Sequence, residues 1–275
     1  MPELPEVETV VRALRPHLVG RRIVAVRCHT PQLRTPLLIA DQAAARDQEI
    51  VAVRRRAKYI LVELANQWAI RVHLGMTGRC RVVPPEEPRE KHEHVVWTLD
   101  DGLTWRYADV RRFGIVDAHP LPCPGTEPDV LADLGPEPLG PDFTVAYLAA
   151  QCRGRRKPIK ALIMDNPVVV GVGNIYASEA LHRAGIRPDR EAATVTRPRL
   201  KRLHAEIRAV LQEAIDAGGT TIIDFEAPDG SEGFFARSLR VYGRADEFCL
   251  GCSRGHIRRS VLAGRATYHC PVCQR

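Results

Sequence analysis

Apolar positions near the start of the chain recur at helical spacing: Val7, Val10, Val11, Leu14 and Leu18 follow Pro5 and Glu6, and Gly20 supplies a stop. The spacing predicts an amphipathic helix. Pro5 suits its first turn, where the N–H that proline lacks would go unpaired. The period then changes. From Arg21 to about Val116, short β-rich runs (RIVAVRC, IVAVRRR, KYILVEL, WAIRVHL, HVVWTL, LTWRYA, FGIVDA) alternate with turn signals such as Pro84-Pro85 and Asp101-Gly102, which predicts an antiparallel sandwich. The Pro- and Gly-rich stretch HPLPCPGTEPDVLADLGPEPLGPD fits neither period and predicts a domain boundary. Beyond it the spacing is helical in TVAYLAAQC, PIKALIMDN, NIYASEALHRAG and a long run from Thr196 to Ala217 ending at Gly218-Gly219. HIRRSVL and ATYH around AGR predict a terminal hairpin.

A chain of 275 residues accommodates two modest cores more readily than one. With 40 Lys+Arg against 33 Asp+Glu, a formal charge of +7 and a pI near 9.1, the expected partner is acidic, nucleic acid above all. Apolar runs such as YILVEL and NPVVVGVG fall far short of the ~20 residues of a spanning helix. No secretory leader pattern precedes the first helix, so an intracellular protein without a membrane partner is expected.

In a reducing compartment cysteines serve as thiols or metal ligands. Cys28, Cys80, Cys123 and Cys152 are scattered and read as small apolar residues. Cys249 and Cys252 form one C-x2-C, Cys270 and Cys273 another, with seventeen residues between them. Two such knuckles present four thiolates tetrahedrally at ~2.3 Å from Zn²⁺, and with no open position the site would be structural. The segment between them carries Arg254, Arg258, Arg259 and Arg265, with His256 and His269 nearby. Charge alone leaves two readings open, a nucleic-acid-facing ribbon or a solvated basic face.

MPELPEVET, RRRAKYI, HLGMTG, RRFG, GVGNIYASEAL and the four-cysteine ribbon occur together and in this order, and by them the chain closely resembles the bacterial formamidopyrimidine-DNA glycosylases. The resemblance implies an α+β fold of two domains. Residues 1–135 would form an N-terminal catalytic β-sandwich flanked by helices, and 136–152 a hinge. Residues 153–240 would form a helical helix-two-turn-helix DNA-binding domain, and 241–275 a C4 zinc finger built as a β-hairpin. It further implies a bifunctional base-excision repair enzyme. Such an enzyme removes oxidised purines, 8-oxoguanine and formamidopyrimidines, from double-stranded DNA and cleaves the abasic strand by β- and δ-elimination. A monomer with one structural Zn²⁺, cytoplasmic and associated with the nucleoid, is the matching expectation.

The same resemblance assigns roles. Pro2, exposed as the N-terminus once Met1 is removed, would be the nucleophile. An α-amine is less basic than a lysine side chain, about 7.7–8.0 against 10.4, so more of it is neutral near pH 7. Glu3 would be the general acid/base, whereas Glu6 and Glu8 read as complements to the helix dipole, Glu6 with a supporting part. Lys58 would contact DNA at the lesion and assist β-elimination, and Arg265 would grip phosphates. Met76, Arg111 and Phe113 match a wedge that fills the gap left by an extruded nucleotide, Arg111 bonding the opposite cytosine. Asn174 would meet phosphate at a helix start. His73, His92, Arg156 and Lys160 align with further DNA-facing positions, and GGTTIIDFEAPDGSEGFFARS with a lesion-recognition loop. Two departures stand out: Val110 replaces a common proline in DVRRFG, and the ribbon is one residue longer, most easily in SRGH. Two other readings are an endonuclease VIII-like enzyme for oxidised pyrimidines, against which the opening PELPEVE stands, and a non-catalytic damaged-DNA binder.

Overall fold

Helix α1 (Leu4–Leu18) forms where the apolar spacing places it, and its buried stripe of Leu4, Val7, Val10, Val11, Leu14 and Leu18 packs against a sheet. The molecule is described here by a computed structural model covering residues 2–220 and 235–275. These fall into two compact units, 2–133 with 218–220, and 134–217 with 235–275.

In the N-terminal unit the strands are β1 (Arg22–Cys28), β2 (Gln48–Arg56), β3 (Tyr59–Leu64), β4 (Trp68–His73), β5 (Gly78–Val83), β6 (Glu93–Leu99), β7 (Thr104–Asp109) and β8 (Ile115–Pro120). Every pairing is antiparallel, in the order β5-β7-β6-β1-β2-β3-β4-β8. β1 and β2 share just two register pairs, Arg22↔Glu49 and Ile23↔Gln48, so the ladder folds there into two halves. Ile23, Val95, Trp97, Trp105 and Tyr107 of one half share a core with Ile50, Ile60, Val62, Ile70 and Val72 of the other and with α1. Trp97 and Trp105 stack with ring centroids 3.9 Å apart. The sandwich is therefore the expected one. A short helix α2 (Ile39–Ala45), packed on β1, β4 and β8, was not anticipated: seven residues without a side-chain cap give no readable period.

Between the sheet and the helices, the Pro-rich stretch is irregular apart from a 3-10 turn at Asp129–Leu131. In the C-terminal unit, α3 (Val145–Cys152) starts at Thr144, whose hydroxyl accepts the Tyr147 N–H at 3.0 Å. α4 (Ile159–Ile163) is shorter than its apolar run suggested. α5 (Asn174–Ala184) ends at Gly185 with φ 69°, a left-handed cap. α6 (Arg197–Asp216) runs twenty residues to the predicted Gly218-Gly219 stop, both with positive φ. Arg208 on α6 donates to the carbonyls of Pro138, Leu139 and Gly140, fixing a segment that makes no ladder. The hairpin of β9 (Arg258–Leu262) and β10 (Arg265–His269) turns through Ala263 (φ 48°) and Gly264 (φ 73°), the conformation of a type I′ turn. No helix among the described residues is long and apolar enough to cross a membrane.

Leu14→Ala, at a position 1 % exposed, is expected to lower the unfolding free energy by about 2–5 kcal/mol. Leu38→Ala, at a position 55 % exposed, should stay within about 0.5 kcal/mol of the parent. Urea titrations of the three proteins measure the difference.

Candidate active site

Pro2 is buried and leads directly into Glu3, the N-cap of α1. Glu3 and Glu6 form a capping box in which Glu6 accepts the Glu3 N–H at 2.8 Å. The other oxygen of Glu6 accepts both the N–H (2.9 Å) and the hydroxyl (2.8 Å) of Thr220, so Glu6 is a fully buried joint rather than a dipole complement alone. Glu8 likewise does more than its predicted part. It pairs with Arg12 at 3.1 Å and with Arg55 at 3.0 Å, and Arg55 donates to the Ala57 carbonyl at 3.1 Å. The two-residue turn Ala57-Lys58 between β2 and β3 is thereby tied to the first turns of α1, with Ala57 at φ 54°.

His73 faces Tyr59 across the β3–β4 pair, ring centroids 5.1 Å apart, and its Nδ1 accepts the Gly75 N–H at 3.0 Å. Burial first, then the charges of Lys58, Arg34 and Arg71, push its pKa from the usual 6.5 down to about 4. The imidazole is therefore neutral at pH 7, and with Nδ1 accepting, its proton sits on Nε2 as a donor.

Sequence reasoning missed Asp109. This fully buried carboxylate closes β7 and gathers the neighbouring loops: Oδ1 accepts from the Thr77 hydroxyl at 2.5 Å and the Arg111 N–H at 3.2 Å. Oδ2 accepts from the Gly114 N–H at 2.8 Å and the Tyr107 hydroxyl at 3.3 Å. The Asp109 N–H donates to the His92 carbonyl at 3.0 Å, bringing that loop in as well. Gly75 is needed at the same junction, because a Cβ there would lie 2.6 Å from Gly114 N and 2.7 Å from the Phe113 carbonyl carbon. The loops bearing Met76 and Phe113 thus abut backbone to backbone, with Phe113 exposed and the Arg111 guanidinium 4.7 Å from its ring centroid. Val110 is also exposed, and Asp109 holds the turn that a proline would otherwise stiffen.

In the C-terminal unit, Asn174 is the first residue of α5. Its Oδ1 accepts from Lys160 Nζ at 2.6 Å, which fixes the amide orientation, and its Nδ2 donates to the Ala266 carbonyl at 2.9 Å. Lys160 is 2 % exposed and also donates to the Thr267 hydroxyl at 2.8 Å and the Ala266 carbonyl at 3.2 Å. The sequence places Lys160 among DNA-facing positions, and in the structure its ammonium turns inward. It acts instead as a strut between α4, α5 and β10, next to exposed Arg265. Arg156 lies exposed in the loop before α4. Glu179, fully buried on α5, accepts the backbone N–H groups of Arg240, Val241 and Tyr242, each at 2.9 Å. Of the expected lesion-recognition loop, 221–234 lie outside the described residues.

All eight cysteines are free. The sulfurs of Cys249 and Cys273 are 3.7 Å apart, those of Cys252 and Cys270 3.8 Å, and all four lie within 4.8 Å of one another. Ligands ~2.3 Å from a tetrahedral centre stand ~3.8 Å apart, so the four fit around one ion. Backbone N–H groups of Arg254 and Gly255 lower the Cys252 pKa to about 6, whereas burial raises the thiols of Cys270 and Cys273.

A sequence model of the formamidopyrimidine-DNA glycosylase N-terminal domain matches residues 1–116, and one of the formamidopyrimidine-DNA glycosylase H2TH domain matches 134–226. The chain is 47 % identical over 281 residues to the formamidopyrimidine-DNA glycosylase of Xanthomonas campestris pv. campestris strain B100, covering 100 % of both. It is 46 % identical over 275 residues to that of Edwardsiella ictaluri, again covering 100 % of both. The solved Lactococcus lactis Fpg (MutM) bound to DNA containing N7-benzyl-Fapy-dG is similar with a TM-score of 0.90 and 34 % identity, covering 100 % of each chain. The L. lactis Fpg complex with abasic-site DNA gives 0.88, 32 % and 99 % of each. Its complex with DNA containing an oxidised pyrimidine gives 0.89, 33 % and 100 % of each.

The His73 value in the folded chain lies below that of the unfolded chain, so the unfolded chain takes up the proton first. Stability present above pH 6.5 is lost as pH falls toward about 4. His73→Asn keeps an acceptor for the Gly75 N–H but cannot titrate. Against it, the parent should lose on the order of 3 kcal/mol more between about pH 7 and 4, as read from urea titrations. Asp109→Ala strips the Arg111 and Gly114 N–H groups of their acceptor and should cost about 2–5 kcal/mol. Amide hydrogen exchange should then accelerate at Gly114 well beyond the change at Ile60 in β3. Unaltered Gly114 protection would count against the assigned hub.

Proposed function

The chain belongs to the formamidopyrimidine-DNA glycosylase family of DNA-repair enzymes, and on that premise we propose that it excises oxidised purines, 8-oxoguanine and formamidopyrimidines, and then cuts the abasic strand. The observation that carries this reading is the head of α1. Pro2 and Glu3 lead into a helix whose first turns are bonded through Glu8 and Arg55 to the turn bearing Lys58. One frame thus carries an imino acid, a carboxyl group and an ammonium group, the set that amine-based glycosidic cleavage needs.

With Met1 removed, the Pro2 nitrogen attacks C1′ of the extruded nucleotide. The N–C1′ bond forms as the bond to the base breaks, the base leaves with the electron pair, and the proton shed by the Pro2 nitrogen neutralises it. Glu3 protonates the ring oxygen, and the opened sugar becomes an iminium that stays cationic because its nitrogen carries no proton to lose. This cation takes up the electrons released when the 2′ proton departs, and the 3′ phosphate leaves. Loss of the 4′ proton then expels the 5′ phosphate. Lys58 stabilises the strand at the lesion. Arg265, too weak an acid to donate a proton, holds the phosphates and stabilises them as they leave.

Met76 and Phe113 fill the vacated stack, and Arg111 bonds the orphaned cytosine. Neutral His73 offers its Nε2–H to a phosphate oxygen, joined by His92, Arg156 and the Asn174 end of α5. Lys160 positions Asn174 and Arg265 from within. The four cysteines would hold one zinc ion, which when bound supplies folding free energy to a ribbon whose own core is small. The enzyme acts as a monomer, since one lesion needs one pocket.

Borohydride reduction tests the central bond. It should trap a covalent complex between the correctly processed enzyme and an 8-oxoguanine:cytosine duplex, and Pro2→Gly should cut trapping at least ~10²-fold. One solved relative carries an oxidised pyrimidine in its DNA, so that duplex belongs in the same experiment. Far faster trapping on it would favour the pyrimidine enzyme, and no trapping on any lesion would favour the non-catalytic binder.

A further inference from the structure

Helix α5 reaches the four-cysteine cluster through a side chain that the reaction does not use. His182 is 5 % exposed near the C-terminal end of the helix, and its Nε2 lies 3.3 Å from Cys249 Sγ. Gly251 completes the junction. Its N–H points at the same sulfur at 3.4 Å, and a Cβ at Gly251 would approach His182 Cε1 to 3.3 Å. Cys249 is itself 1 % exposed. Water is thus largely excluded from a sulfur that is a thiolate, with no proton of its own, once it ligates a metal.

Resting on the metal reading above, we propose that His182 is a positioning residue of the ribbon: its Nε2–H donates to the Cys249 thiolate, drawing charge off that sulfur and pinning the first knuckle to α5. The direction of the bond follows from proton count. A metal-bound thiolate has no proton to give, so the shared hydrogen must sit on nitrogen. The other ring nitrogen, Nδ1, is buried with no hydrogen-bond partner among the described residues. Were the proton on Nδ1, a buried donor would be orphaned while the Nε2 lone pair faced an anion. With the proton on Nε2, only a lone pair goes unused, the lesser cost.

The consequence is chemical as well as mechanical. A thiolate that accepts hydrogen bonds is a weaker nucleophile, so Cys249 is protected against electrophiles on the side facing α5. The same helix begins at Asn174, whose amide bonds the Ala266 carbonyl of β10. α5 therefore holds the ribbon at both knuckle and hairpin, and the hairpin carries Arg265.

Full-length protein loaded with ¹¹³Cd tests the bond without any substitution. A scalar coupling between the metal and the His182 Nε2–H, with ¹⁵N shifts marking the Nε2–H tautomer, is expected. Stoichiometric metal with a protonated Nδ1 and no such coupling overturns the inference, whereas failure to bind one metal per chain overturns the metal reading on which it rests. Alkylation of the zinc-loaded protein gives a second readout. The thiolate displaces iodide from iodoacetamide, forming a C–S bond as the C–I bond breaks and iodide leaves with its electron pair. Peptide mapping should show Cys249 reacting on the order of tenfold faster in His182→Phe. His182→Gln, which keeps a donor, should recover part of the protection. Equal Cys249 rates in all three proteins would overturn the proposal.

Discussion

A loop that presents side chains to a large ligand cannot hide its own backbone in a sheet or helix, and its N–H groups must be satisfied some other way. Here that need is met by buried carboxylates. Glu6, Asp109 and Glu179 are all fully buried. Glu6 takes the N–H groups of Glu3 and Thr220, Asp109 those of Arg111 and Gly114, and Glu179 those of Arg240, Val241 and Tyr242. Each anion stands where a candidate functional segment leaves regular structure: the N-terminus, the loops bearing Met76 and Phe113, and the entry to the ribbon. A carboxylate has about four lone-pair sites, so one side chain can fix several residues of a loop at once.

Buried or half-buried cations do the complementary work on carbonyl groups. Lys160 donates to Ala266, Arg208 to Pro138, Leu139 and Gly140, and Arg106 to Pro84 and Glu87. In a chain of formal charge +7 these basic side chains are spent on the protein's own carbonyl groups. Counting charge therefore overstates the surface that meets DNA, and Lys160 is the clearest case. By motif it stands among DNA-facing positions, and by geometry it holds Asn174 and β10 in place.

Periodic features were legible in the chain and long-range polar ones were not. The stripe Val7, Val10, Val11, Leu14 and Leu18 announces α1 because burial repeats every turn, and the runs of β3 and β4 announce strands because their residues are apolar and branched. The cysteine knuckles were readable from spacing alone, and the four sulfurs do converge. α2 was missed because its alanine-rich turn has neither stripe nor cap. Asp109 was passed over, and Glu6 and Glu8 were undervalued, because an acid in a loop or first turn looks the same whether it faces water or accepts N–H groups. The motif ADVRRFG draws attention to the arginines and the phenylalanine, whereas the residue that seats them comes first.

Fixing loops by buried charge rather than by apolar packing has a physical consequence. Apolar contacts weaken gradually as a loop shifts, but a buried carboxylate that loses its donors is left with an uncompensated charge, so displacement is costly from the first ångström. The bonds run to backbone, which leaves the outward residues of the same loops, Phe113, Arg111 and Arg265, unconstrained in chemical type by the seat that holds them. Contact chemistry can then vary on a constant frame, as Val110 does where a proline would serve the turn. Position resides in the buried acids and lysine, and the side chains they hold outward can differ without disturbing it.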